Sequence, residues 1–265
     1  GVDEGLLGDA REALGAVQRE IDQDQLTVEC RRVQEMSVAR ALHEVAETEQ
    51  ASLLVVGSTR SDSPRLPKLG STAERLAHGA PCPIAVVPNG WRARGELDTV
   101  GAAFVDTEEG REALRAAHAI AMRAGAKLRV LTVLRPTFAV YEETEPSVPP
   151  RSAKDAAHVE GEFRVAAEQA ARRAVQETLG EVGADIEVEA FVGDPVETLV
   201  RVSENLDVLV CGSRGYGPLR AVLLGSVSRR IAAEARCPVI LLPRGVRAAL
   251  EELAGRVGDR VATAS

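Results

Sequence analysis

The chain has 265 residues, of which 45% are hydrophobic and 27% charged, so it has room for one large or two ordinary domains with a buried core. The formal net charge is −8 and no cluster of Lys and Arg stands out, which argues against a nucleic-acid partner. No apolar run reaches the roughly 18 residues of a membrane-spanning helix, so no membrane partner is expected. Aromatic residues make up only 3%, and a core of Val, Leu, Ile and Ala favours a layered α/β protein.

Strands and helices are predicted to alternate along the chain. Apolar segments at residues 26–30 and 83–88 are predicted strands, and a glycine-containing loop begins between them at Gly57. Further strands are predicted at residues 99–105, 128–134, 186–192, 206–212 and 238–243. Helices between apolar strands indicate a parallel sheet covered on both faces.

Two helices of this second part have specific sequence signals. The helix predicted over residues 153–179 carries one stripe of small and apolar residues, namely Val159, Phe163, Ala167, Ala170 and Ala174. Asp194 is the predicted N-cap of the next helix, and Pro195 lies in its first turn. The residues from 135 to 150, with four prolines, are predicted to form a long loop.

The chain contains an internal repeat at an offset of 155 residues. Gly57 aligns with Gly212, and CPIAVVP at residues 82–88 aligns with CPVILLP at residues 237–243. The offset holds without a gap over this whole stretch, which indicates a duplicated domain more strongly than any single motif does.

The repeat predicts the domain organisation. At this offset the counterpart of Asp106 falls before Gly1, so the first repeat is expected to lack its opening strand, first helix and second strand. We predict four segments: repeat 1 (1–90), a linker (91–98), a complete repeat 2 (99–245) and a C-terminal amphipathic helical tail (246–265).

A glycine-rich loop follows the fourth predicted strand of repeat 2. Its order is Gly212, two residues, Gly215, nine residues, then Gly225 and Ser226. Parallel sheets bind ligands at the carboxyl ends of their strands, and Ser226 is the predicted N-cap of a helix whose first N–H groups can bind an anion. The alternative is a tightly packed capping turn without a ligand. The motif GxxxxGK[ST] is absent, and GxGxxG fails at its last glycine.

This loop pattern, GxxG, nine residues and G[ST] after the fourth strand, resembles the universal stress protein family. The segments CPVILLP (237–243) and VDTEEGREAL (105–114) are also similar to that family. The resemblance covers nearly the whole chain, as one complete and one partial copy. It implies an α/β fold of the adenine nucleotide α-hydrolase-like type, with parallel sheets in the strand order 3-2-1-4-5 and helices on both faces.

In the ATP-binding branch of this family, the loop after the fourth strand holds the phosphates and ribose. The resemblance therefore implies ATP, with Mg²⁺ bound only through its phosphates. It implies contacts from Asp106 and Val133 to the nucleoside, from Gly212, Arg214 and Gly215 in the loop, and from Gly225, Ser226, Val227 and Ser228 to the phosphates. Asp106 has a second interpretation, because Glu109 makes a capping-box-like pair with it. Glu108 departs from the family's small residues and would repel a triphosphate.

The loop of repeat 1 differs at the same positions. Arg60 stands where repeat 2 has Gly215, and Pro64 and Pro67 remove backbone donors. A residue other than glycine at a position with positive φ costs about 1–2 kcal/mol. We therefore expect repeat 1 to bind nucleotide poorly or not at all. Direct contact of Arg60 with a phosphate is the alternative.

Fifth strands of this family pair antiparallel between protomers. The resemblance therefore implies that repeat 1 pairs with repeat 2 through strands 83–88 and 238–243, within one chain. A homodimer remains an alternative.

The leading functional hypothesis is an adenine-nucleotide-binding regulatory protein of the stress response, with a cytoplasmic location suggested by four cysteines without a CxxC pair. The alternatives are a structural or interaction module of the same fold and a slow ATP-hydrolysing enzyme. No nucleophile–base arrangement and no metal-ligand spacing is visible in the sequence.

Overall fold

The structure is a computed structural model. It describes residues 31–58, 69–77, 79–135, 153–180, 185–212 and 225–242, and residues 12, 15, 29 and 183 singly. The chain divides into two units, residues 1–41 and residues 42–265. Helix α1 (Val38–Thr48) begins in the first unit, and every described strand belongs to the second. The tail at 246–265 and, except for Glu29, the predicted strand at 26–30 lie outside the described residues.

The described elements after α1 confirm the predicted alternation. In chain order they are β1 (Leu54–Gly57), α2 (Ser71–Ala77), β2 (Ile84–Val87), β3 (Thr99–Ala103), α3 (Glu108–Ala124), β4 (Lys127–Leu134), α4 (Ala153–Leu179), β5 (Ile186–Val192), α5 (Pro195–Val202), a 3₁₀ turn (Ser203–Asn205), β6 (Val208–Gly212), α6 (Ser226–Glu234) and β7 (Val239–Leu242).

The described strands form one sheet in the order β1-β2-β7-β6-β3-β4-β5. The neighbouring strands of repeat 2 are all parallel. Counted from β3 as strand 1, their order is 3-2-1-4-5, as predicted. Strands β2 and β7 pair antiparallel and join the two repeats, with Ile84 opposite Leu241 and Val86 opposite Val239. The predicted pairing of repeat 1 with repeat 2 is therefore present in the structure.

Side chains on the strands alternate between two buried faces. Val208 and Val210 of β6 belong to a core cluster that also contains residues of α3 and α4. Leu209 and Cys211 of the same strand are buried but lie outside that cluster. This period of two is what a sheet covered on both faces requires.

The stripe predicted for α4 is only partly buried. Ala174 is buried, together with Ala171 and Val175, whereas Phe163 and Val159 are 65% and 37% exposed. The stripe therefore reaches the core only in the C-terminal part of the helix.

Candidate functional site

A cavity of about 400 Å³ opens at the carboxyl ends of β3, β4 and β6. This volume lies within the range of small-molecule sites, about 300–1,000 Å³. The lining residues are Ala103, Phe104, Val105, Leu131, Val133, Arg135, Pro195, Leu199, Cys211, Gly212, Gly225, Ser226, Val227, Ser228 and Ile231. Six of the residues predicted from the sequence are thus brought together, because parallel strands all end at the same edge of a sheet.

The N-terminus of α6 forms one wall of this cavity. The N-cap is Gly225, with φ −58° and ψ 144°, and no side chain caps this end. Ser226 is the first residue of the helix, so its prediction as N-cap is wrong by one position. The first N–H groups of a helix have no partner within it, and its dipole adds a partial positive charge. An anion entering the cavity would therefore meet backbone donors.

Ser228 links α6 to the end of β6. Its hydroxyl donates a hydrogen bond of 3.0 Å to the carbonyl oxygen of Gly212, and the side chain is buried. The hydroxyl thus has a structural partner, whereas the backbone at Ser228 still lies in the first turn of the helix. Any contact of Ser228 with a ligand would be expected from that backbone.

Gly212 is placed where a side chain would collide with α3. A β-carbon at this position would lie 2.7 Å from the carbonyl oxygen of Glu109 and 3.1 Å from its carbonyl carbon. Because these are backbone atoms at the start of a helix, they cannot move aside as a flexible side chain can. Close packing alone therefore requires glycine here, whether or not a ligand is bound.

Arg135, the residue directly after β4, also lines the cavity. Its Nη2 lies 3.8 Å from Oδ2 of Asp194. As predicted, Asp194 is the N-cap of α5, because its Oδ1 accepts hydrogen bonds from the backbone nitrogens of Val196 (2.9 Å) and Glu197 (3.1 Å). These two hydrogen bonds lower the pKa of Asp194 below its ordinary value, and the bond from Glu197 has the larger effect. The positive charge of the nearby Arg135 lowers this pKa further.

Among the predicted site residues that the structure describes, Asp106 alone does not line the cavity. Its Oδ1 accepts a 2.6 Å hydrogen bond from Nε of Arg111, whose Nη2 also donates to Glu177 at 2.9 Å. The two carboxylates raise the pKa of Arg111 further above its ordinary value. The cap of α3 is Thr107, whose hydroxyl accepts from the backbone nitrogen of Gly110 at 3.1 Å. The capping-box interpretation of Asp106 is therefore wrong.

Cys211 lies in the buried wall of the cavity, 2% exposed. Burial, with a smaller effect of Cys237, raises its pKa to about 12, so the thiol stays protonated at neutral pH. Cys82, Cys211 and Cys237 are all buried free thiols.

Sequence reasoning missed Arg135, Phe104 and Cys211 as lining residues. Arg135 follows β4 directly and Phe104 follows β3, so the rule about strand ends that identified Gly212 would have found them too. The predicted loop residues Arg214 and Gly215 lie outside the described residues. Within the described part of the chain, no cluster of three or more His, Cys, Asp or Glu side chains could hold a metal ion.

The strand order 3-2-1-4-5, with a cavity at the carboxyl ends, defines an adenine nucleotide α-hydrolase-like α/β domain. The universal stress protein family model matches residues 3–88 and again residues 97–243. The chain therefore belongs to the universal stress protein family.

The chain is also similar to known universal stress proteins. The universal stress protein Rv2319c of Mycobacterium tuberculosis is 29% identical over 212 residues, covering 78% of this chain and 69% of its own. A universal stress protein structure from Archaeoglobus fulgidus matches with a TM-score of 0.67 at 20% identity, covering 91% of this chain and 80% of that one. A structure from Pseudomonas aeruginosa, a putative universal stress protein, matches with a TM-score of 0.61 at 19% identity, covering 92% and 82%. At these identities the structures support the fold alone.

None of the helices in the described residues is both long enough and apolar enough to span a membrane.

Proposed function

We propose that this chain is a nucleotide-binding regulatory protein of the stress response. We propose that its repeat 2 binds an adenine nucleotide, with ATP as the first candidate, in the cavity at the ends of β3, β4 and β6. One observation carries the proposal. An uncapped helix N-terminus and the cationic residue Arg135 line the same cavity, whose remaining wall is mostly apolar. A nucleotide has both an anionic and an aromatic part, so it suits a cavity with both kinds of surface.

The lining residues suggest how the two parts would be held. Backbone N–H groups of Val227 and Ser228, with Arg135, would hold phosphate oxygens, while Val133 and Phe104 would contact the nucleoside. We also propose that Gly225 and Ser226 contact the phosphates. Gly212, Arg214 and Gly215 are the proposed contacts from the loop. When bound, the nucleotide supplies phosphate oxygens that can coordinate Mg²⁺, so Mg²⁺ would require no ligand from the chain.

Asp106 remains a proposed contact to the nucleoside, but it already has a hydrogen-bond partner in the structure. Its carboxylate is engaged by Arg111, so a contact to the ligand requires Asp106 to accept from both partners or to exchange one for the other. The side chain is 54% exposed, which leaves one oxygen accessible for a second hydrogen bond.

We further propose one nucleotide per chain, because repeat 1 has Arg60 where repeat 2 has Gly215, together with Pro64 and Pro67, in a segment that lies outside the described residues. Isothermal titration calorimetry of the native chain with ATP tests this directly. We expect a stoichiometry near one. A stoichiometry of two would contradict the assignment to repeat 2 alone. If millimolar ATP gave neither binding heat nor competition with another ligand, nucleotide binding itself would be contradicted.

The variant Arg135→Gln tests the site. A charge-assisted hydrogen bond contributes about 1.5–3 kcal/mol, and partial exposure of this guanidinium reduces that, so we expect roughly a tenfold weaker affinity. Arg172→Gln is the matched control, because Arg172 pairs with Glu168 on the surface of α4, away from the cavity. Equal affinities of the two variants would contradict the placement of the phosphates.

A second candidate function, an interaction module without nucleotide, is favoured by a specific observation. Packing against Glu109 accounts for Gly212, and a hydrogen bond accounts for the hydroxyl of Ser228. Mass spectrometry of small molecules released from the denatured native protein separates the two functions, since only a binder would release nucleotide. The third candidate, slow ATP hydrolysis, predicts phosphate release that Asp106→Ala abolishes.

The proposed location of the chain is the cytoplasm. This proposal is supported by the buried free thiols of Cys82, Cys211 and Cys237, because reduced thiols persist in reducing compartments.

A further inference from the structure

The contact between the two repeats is approximately twofold symmetric. In the β2–β7 pair, Ala85 lies directly opposite Ile240. Ile240 is also the residue that the 155-residue offset makes equivalent to Ala85. Equivalent residues meet each other only near a twofold axis, so this pair marks the position of that axis between the repeats.

A second pair of equivalent residues meets across the same axis. Arg229 Nη1 of α6 donates to Oε1 of Glu74 in α2 at 3.2 Å. The numbers 74 and 229 also differ by the offset of 155. We call Glu74, Ala85, Arg229 and Ile240 the repeat seam.

In both pairs the two repeats have diverged in complementary directions. A small side chain faces a large one, and an acid faces a base. If β7 paired instead with β7 of a second chain by the same symmetry, Ile240 would face Ile240 and Arg229 would face Arg229. Pairing of β2 with β2 would place Glu74 opposite Glu74 and Ala85 opposite Ala85. Both like-with-like pairings combine charge repulsion with either crowding or a void.

We propose that the repeat seam makes the fifth strand of each repeat specific for the other type of repeat, and excludes pairing of β7 with β7 of a second copy. This inference concerns the contact between repeats and does not depend on nucleotide binding. Complementary divergence at the axis gives a duplicated chain a preference that identical protomers cannot have, since in a homodimer each axial residue faces itself.

A double-mutant cycle on the charge pair tests the proposal. Both side chains are about half exposed, so Glu74→Arg, Arg229→Glu and the exchanged double variant are expected to fold. We expect each single variant to lower Tm by about 1–3 °C and the exchange to restore it to within about 1 °C. The control cycle combines Glu74→Arg with Arg230→Glu, because Arg230 bonds Glu234 within α6 at 3.1 Å. The control should be additive. Additivity in both cycles would overturn the proposed charge complementarity.

The size pair is tested in the same way. Ile240→Ala and Ala85→Ile should each lower Tm, and the exchange Ala85→Ile with Ile240→Ala should recover at least half of the summed loss, because the total side-chain volume is restored. No recovery would overturn the size complementarity of the seam.

Disulfide trapping identifies the partner. Val86 lies opposite Val239, so the variant carrying both Val86→Cys and Val239→Cys should form a bond within one chain on oxidation. A β7–β7 pair with the same symmetry would place residue 239 opposite residue 241, so equimolar chains carrying Val239→Cys and Leu241→Cys are refolded together as the comparison, with the unsubstituted chain as a control for Cys82 and Cys237. The proposal expects no two-chain product above that control. Such a product, or free thiols in the double variant, would contradict it.

Discussion

Replacing Gly212 with alanine separates the two explanations for the glycine at the end of β6. The added β-carbon would lie 2.7 Å from the carbonyl oxygen of Glu109, about 0.7 Å closer than the 3.4 Å at which ordinary contact begins. Overpacking of this kind costs about 1–3 kcal/mol, and the lower chain entropy of alanine offsets about 0.4–1 kcal/mol. We therefore expect a net loss of about 1–2 kcal/mol and a Tm lowered by roughly 2–8 °C.

The chain contains a matched control for this substitution. Gly57 is the equivalent residue of repeat 1 and also ends a strand, but a β-carbon there would have nothing within 4 Å. Gly57→Ala should leave Tm unchanged or raise it slightly, through the unfolded-state effect alone. Differential scanning calorimetry of both variants without nucleotide is the assay.

Two results would refute this reasoning. Equal Tm changes for Gly212→Ala and Gly57→Ala would show that the contact with Glu109 does not govern the position. An unchanged Tm for Gly212→Ala, with lost ATP binding in calorimetry, would show that the glycine serves the ligand rather than the packing of α3.

Three further predictions concern ionisable groups. Asp194→Ala should lower stability by about 1 kcal/mol at pH 7 through loss of the cap, measured by urea denaturation. Because the folded-state pKa of Asp194 is lowered, this difference from wild type should persist above the ordinary Asp pKa and shrink as pH falls through the lowered value. Cys211 and Cys237, whose pKa burial raises to about 12 in each case, should resist iodoacetamide at pH 8 until denaturant is added, measured by mass spectrometry. Arg111→Gln should release Asp106 and strengthen nucleotide binding a few-fold, measured by calorimetry.

Each of these predictions has a contrary outcome. A stability difference at Asp194 that grows on acidification would show that the carboxylate is not stabilised by its cap. Rapid alkylation of Cys211 in the native state would show that the buried wall of the cavity is open to solvent. Weaker binding in Arg111→Gln would show that the ion pair holds Asp106 in position for the ligand rather than away from it.

The repeat and its strands were accessible from the sequence because they depend on local patterns. Apolar strands, glycine at their ends and a constant offset of 155 predicted the strands and the duplication. The family resemblance carried by these patterns implied the strand order, the meeting of the fifth strands and six of the fifteen residues that line the cavity. The rule that parallel strands end at one edge converts such local signals into a common location. Asp194 was predictable as a cap for the same reason, since its partners are the next few residues of the chain.

The partners of individual side chains were decided only by the tertiary structure. Asp106 was interpreted as a helix cap or a ligand contact, but Arg111, five residues farther on, engages its carboxylate. Arg111 is in turn held by Glu177 of α4, which lies 66 residues away in the chain. From the sequence, Gly212 was interpreted as a loop residue that lets a ligand approach the backbone. In the structure, α3 packs against this glycine. The sequence by itself determines where strands and helices begin, because their periodicity is local. Which polar groups meet depends on segments far apart in the chain, and for this protein only the folded sheet brings those segments together.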